Sequence, residues 1–82
     1  MYMLEVDGLA RVVLYSQHER GQTLHREVAR SFAVLMLENP RMPADAVGRV
    51  MRGGLTIRTV DRQCRVWQGR KLVYTGDPPV PR

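Results

Sequence analysis

The chain opens on a short alternating stretch, pauses at Asp7-Gly8, and resumes with Leu9, Arg11, Val13 and Tyr15 set against Ala10, Val12, Leu14 and Ser16. A period of two is the mark of a strand with one buried face. Asp-Gly is a favoured pair for a two-residue type I′ turn, because both central residues need positive φ. These features predict a β-hairpin over residues 1–16, with arms Tyr2 to Val6 and Leu9 to Tyr15. Ala10, Val12 and Leu14 then face inward and Arg11 faces out.

The period then lengthens. Leu24, Val28, Phe32 and Leu35 recur at spacings of four, four and three, which places them on one face of a helix, widened by Ala29, Ala33 and Met36. Ser16-Gln17-His18-Glu19 matches a capping box for its start. Gly21 weakens that start, so Thr23 stands as the alternative N-cap. Asn39-Pro40 ends the helix near Glu38, since the proline ring removes a donor and disfavours helical geometry just before it. Val34 and Leu37 fall on the opposite side with Arg26, Glu27 and Arg30. Either neighbouring chain wraps them, or they form an exposed apolar patch for a partner or a second copy.

Pro43 fits the first position of a second, shorter helix through about Arg52. Ala44, Val47 and Met51 would share its buried side, leaving Arg49 and Arg52 more exposed. Gly48 would let that helix approach the first closely, and Gly53-Gly54 would end it. Residues 55–60, 64–68 and 72–75 read as three short strands, joined by Asp61-Arg62-Gln63 and Gly69-Arg70-Lys71 at lengths that suit antiparallel neighbours. The expected fold is a single α+β domain over residues 1–76, an antiparallel sheet packed against two helices in the order ββααβββ. An extended proline-rich tail, 77–82, follows it.

Composition narrows the function classes. The 82 residues suffice for one core, and 44% apolar content argues against disorder. The longest apolar run, Phe32 to Leu37, is far short of the roughly 20 residues that span a bilayer. Glu5 and Asp7 stand where a secretory signal would carry positive charge. Cys64 is the sole cysteine, which suits a reducing compartment and makes the cytoplasm the default address.

Charge changes the picture most. Residues 1–40 carry Arg11, Arg20, Arg26 and Arg30 against Glu5, Asp7, Glu19, Glu27 and Glu38, a net of −1. Residues 41–82 carry Arg41, Arg49, Arg52, Arg58, Arg62, Arg65, Arg70, Lys71 and Arg82 against Asp45, Asp61 and Asp77, a net of +6. Such asymmetry points to an acidic partner, of which nucleic acid is the commonest, because neutralising its phosphates releases counterions. A solvated basic face that only keeps the protein dispersed is the plain alternative. Arginine also pairs bidentately with phosphate or carboxylate, which lysine does not match, and a GC-rich coding bias is the other source of such a composition.

Candidate chemistry is otherwise sparse. His18 and His25 are two helical turns apart, and one Cys with two His supplies neither the count nor the spacing of a zinc site. Cys64, Ser16 and Ser31 lie in no nucleophile motif, the carboxylates are scattered, and Gly53-Gly54 precedes a strand rather than opening a phosphate-binding helix. No enzyme activity, cofactor or metal is expected, and no motif names a ligand. The expectation is a binding module. In one form, Arg41, Arg49, Arg52, Arg58, Arg62, Arg65, Arg70 and Lys71 contact nucleic acid or a nucleoprotein machine. The two helices then serve as a helix-turn-helix with the following hairpin as a wing, or Trp67 and Tyr74 offer stacking surfaces flanked by Arg65 and Arg70. The simpler role for Trp67 is an apolar anchor. In the other form the chain is an inhibitor or adaptor, of the kind mobile elements encode. It docks on an acidic protein surface with Val34, Leu37 or an edge strand as anchor, and Val34 and Leu37 could equally serve a homodimer.

Overall fold

A computed structural model describes residues 2–6, 10–14 and 22–77, the side chains of 10–13 and Gln22 excepted. Strands β1 (Tyr2–Val6) and β2 (Ala10–Leu14) pair antiparallel, with Tyr2 opposite Leu14 and Val6 opposite Ala10. The hairpin expected from the opening alternation is present. Its Asp7-Gly8 turn, the Ser16 capping box and most of the proline-rich tail lie outside the described residues. Helix α1 (Gln22–Glu38) already includes Thr23, so that residue sits in its first turn and is not the cap. At the other end the Asn39 backbone N–H and its Nδ2 both donate to the Leu35 carbonyl, at 3.0 and 2.8 Å. Asn39-Pro40 therefore stops the helix as the sequence predicts.

The second helix is not formed. Ala46 N–H donates to the Pro43 carbonyl at 3.1 Å, one turn that does not propagate, and residues Gly48–Val50 instead make strand β3. The apolar set assigned to that helix has no common buried side: Met51 is 79% exposed and Ala44 is exposed. The reason is tertiary. The three residues of β3 hydrogen-bond on both flanks, with Val50 opposite Leu4 of β1 and Leu55 of the next strand, so a free edge of β1 captures a segment whose local spacing resembles a helix. Gly48 does serve close approach to α1, but from the sheet. A Cβ there would lie 2.8 Å from Ile57 Cγ2, 3.0 Å from Leu4 Cδ1 and 3.1 Å from Phe32 Cδ1.

Strands β4 (Leu55–Val60), β5 (Gln63–Gln68) and β6 (Lys71–Gly76) follow as an antiparallel meander, matching the three expected strands to within a residue at each end. The six strands form one antiparallel sheet in the order β2-β1-β3-β4-β5-β6. The protein is α+β with one helix, and the element order is ββαββββ rather than ββααβββ. Because β2 and β3 both run antiparallel to β1 on either side of it, they run parallel to each other, and α1 is the crossover between them.

Alternation assigns the two faces. Leu4, Val6, Leu14, Val50, Leu55, Ile57, Cys64 and Val66 are buried against Leu24, Val28, Ala29, Phe32 and Ala33 of α1. Thr59 Oγ1 donates to Met36 Sδ at 3.1 Å at one end of this layer. No helix of the described residues is long and apolar enough to cross a membrane.

Candidate polyanion-binding face

The residues that alternate with the core point to the opposite side of the sheet, where the described chain places no helix. Register fixes which of them are neighbours, since directly paired residues share a face. Arg49 of β3 pairs with Thr56 of β4, which pairs with Trp67 of β5. One row away, Arg58 of β4 pairs with Arg65 of β5, which pairs with Thr75 of β6. Glu5 of β1 is the acidic member of this side and pairs in register with Arg49.

Two tight turns frame the rows. Val60 and Gln63 close a two-residue turn in which both Asp61 and Arg62 have positive φ, 51° and 65°. This is the type I′ pattern that matches strand twist, adopted here without a glycine. Gln68 and Lys71 close the next turn with Gly69 at φ 61°, where glycine carries no steric cost. Arg70 follows Gly69 and brings a further guanidinium to the rim. Together Arg49, Thr56, Arg58, Trp67, Gly69 and Arg70 line an open cavity of about 430 Å³.

Inside this site the Arg58 guanidinium lies over the Trp67 ring at 5.0 Å from the centroid, a cation–π arrangement on a partly exposed tryptophan. Trp67 is thus outside the core, and the anchor role gives way to a surface one. Arg65 reaches Asp61 at 3.8 Å, but Asp61 is 84% exposed, so solvent screens that pair strongly. Arg65 Nε is buried and has no hydrogen-bond partner. Two arginines directly opposite on adjacent strands repel. Arg58 and Arg65 thus add two positive charges to one face, offset in part by Asp61.

The arginines of the second half do not all gather here. Arg49, Arg58, Arg65 and Arg70 do, and Arg62 stands at the adjoining hairpin tip. Arg52 is in the β3–β4 connection with its guanidinium 5.9 Å from the Tyr2 ring, and Tyr2 belongs to the helix-side core. Arg41 is exposed in the segment after α1. Lys71 pairs in register with Gln68, in the row that alternates with Trp67. Trp67 and Tyr74 do not form one stacking platform, because Tyr74 pairs with Val66 and packs on the core side. The helix-turn-helix geometry is excluded with the loss of its second helix.

Val34 and Leu37 are exposed on α1, at 39% and 42%. A second open cavity of about 480 Å³ runs between α1 and β6, lined by Arg26, Arg30 and Asp77 beside Val34, Tyr74 and Gly76. In the sequence Arg26 and Arg30 read only as an ordinary wet helix face. Cys64 is buried, and burial pushes its thiol above the ordinary range. A hydrogen bond with Thr59 works in the other direction, and the Asp77 charge adds to the rise. No group of three or more His, Cys, Asp or Glu side chains that could hold a metal occurs among the described residues. His18, one of the two histidines weighed as ligands, lies outside them. Comparison with known protein families, curated proteins and solved structures returns no match.

Proposed function

We propose that the protein is a non-enzymatic binding module that holds nucleic acid on the uncovered face of its sheet, through Arg49, Arg58, Arg65 and Arg70 around Trp67. The observation that supports it is the convergence of Arg49, Arg58 and Arg70 on one open cavity beside Trp67, with Arg65 paired in register to Arg58. Like charges gathered on one sheet face cost stability, and a bound anion lowers that cost. Arg41, Arg52 and Lys71 then contribute to the general positive field rather than to direct contacts.

Salt dependence tests the reading. Four phosphates neutralised on a single strand give a slope of about −3 in log K against log salt, so affinity should fall on the order of 60-fold between roughly 50 and 200 mM salt. The double variant Arg58→Gln/Arg65→Gln should flatten that slope by about one to two units. Binding indifferent to salt, or unchanged in the double variant, contradicts it.

A second reading rests on a separate observation. Val34 and Leu37 are exposed one helical turn apart, Val34 beside the cavity along edge strand β6, where Arg26 and Arg30 outnumber Asp77. That combination suits an acidic protein partner or a second copy of the chain. A complex that resists nuclease and is lost in Val34→Asp or Leu37→Asp supports it, and a complex that survives both changes rules that anchor out.

A further inference from the structure

We infer that the open face takes an unpaired polynucleotide strand, with a nucleobase stacked on the Trp67–Arg58 layer and flanking phosphates on Arg49, Arg65 and Arg70. This rests on the nucleic-acid reading above and names the form of its ligand.

Width decides against a duplex. The major groove of B-form DNA is about 12 Å across and admits one helix or a two-stranded ribbon. Six strands at about 4.8 Å spacing make a face roughly twice that width. The β4–β5 hairpin that carries Arg58, Arg65 and Trp67 is flanked on both sides by β3 and β6, so it is not a free ribbon. Helix α1 packs on the other face through Leu24, Val28 and Phe32, which leaves it unable to present the arginine face to a groove.

The same features suit a single strand. A broad sheet with a surface aromatic lets unstacked bases lie flat on it, and bases stack on indole rings and on guanidinium planes alike. Here both groups are already together, the Arg58 guanidinium over the Trp67 ring at 5.0 Å. The cavity beside them, about 430 Å³, is of the size that takes small organic ligands. At its rim Gly69 offers open space, since a Cβ there would meet nothing within 4 Å. Phosphates on either side of a stacked base then fall among Arg49, Arg65 and Arg70.

Trp67 is the only tryptophan in the chain, so its fluorescence reports the site directly. The full chain is titrated with thymidine and uridine homopolymers of about 12 nucleotides, which separate the two sugars, and with a self-complementary hairpin duplex of equal length. Saturable quenching by a single strand is expected, with affinity at least about 10-fold above that for the duplex. With a labelled single strand read by anisotropy, Trp67→Ala should weaken binding on the order of 5- to 150-fold, and Trp67→Phe by much less. Circular dichroism checks that the variants fold, and the wild-type quenching stands without them. Duplex binding equal to or tighter than single-strand binding, with no quenching, overturns the single-strand inference and leaves the polyanion reading intact. Absence of binding to every probe at low salt overturns both.

Discussion

The two faces of one sheet are built from alternate residues of the same strands, and they differ in nearly every physical respect. On the helix side Leu4, Val6, Leu14, Ile57 and Val66 are fully buried, and a Cβ at Gly48 would come within 2.8 Å of Ile57 and 3.1 Å of Phe32. On the other side the partners in the same strands are Met3, Arg49, Arg58, Arg65 and Trp67, all partly or largely exposed. The first face holds the fold, since in a chain of this size nearly all hydrophobic stabilisation has to come from one small core. The second is less tightly packed and tolerates a gathering of like charges that a core never would.

Substitutions should divide along the same line. The largest effect is expected from Phe32→Ala, which empties the centre of the helix side and should cost about 3–5 kcal/mol, enough to unfold much of the population in a thermal or urea melt. Gly48→Ala comes next and also decides between two folds. In a helix the change would stabilise by about 1 kcal/mol. Within β3 the added methyl meets Ile57, Leu4 and Phe32 and should destabilise by about 1–3 kcal/mol. Arg62→Gly relieves the positive φ of the β4–β5 turn and should raise stability by about 0.5–1 kcal/mol, visible as a higher Tm. Smallest is the open face, where Arg58→Gln/Arg65→Gln should shift stability by less than about 1 kcal/mol in either direction while weakening polyanion binding. If the open-face pair proved as costly as Phe32→Ala, the division between a structural and a binding face would fail.

Cys64 adds a pH test of the helix side. Its thiol titrates above the ordinary range because it is buried. In the unfolded chain the thiol loses its proton first, so the folded state holds more protons between the two pKa values and stability falls as pH rises through that window. Below the ordinary thiol range the two states are equally protonated and the effect vanishes. Chemical denaturation at a series of alkaline pH values should therefore show a stability decline that Cys64→Ala reduces. A thiol reagent at neutral pH should label the native protein only at the rate of its unfolding.

Legibility in the sequence follows the length and regularity of each segment. Helix α1 declares itself through seventeen residues of consistent period and a proline stop, and β4 to β6 declare themselves through alternation broken at Asp61-Arg62 and Gly69-Arg70. β3 does not, because three residues carry no period of their own. Its identity is set by pairing with Leu4 and Leu55, far away in sequence, and the spacing of Ala44, Val47 and Met51 imitates a helix. That one substitution of strand for helix removes the helix-turn-helix geometry and moves Arg49 from a helix surface to the open sheet. The excess of positive charge was evident from composition, but its division was not. Arg58, Arg65 and Trp67 share a face because the β4–β5 register pairs Arg58 with Arg65 and Thr56 with Trp67. Local periodicity alone shows that Arg65 and Trp67 lie on the same side of one strand, yet says nothing of which arginines stand opposite. The β6-side groove with Arg26 and Arg30 depends likewise on where the last strand meets α1.

The most direct test of the binding face is an amide chemical-shift titration of the folded chain with a short polyanion. The changes should concentrate at Arg49, Thr56, Arg58, Arg65 and Trp67, including the Trp67 indole N–H, and should fade with added salt. Shifts confined to α1 and the β6 groove around Arg26, Arg30 and Val34, with the sheet face unmoved, would contradict the account.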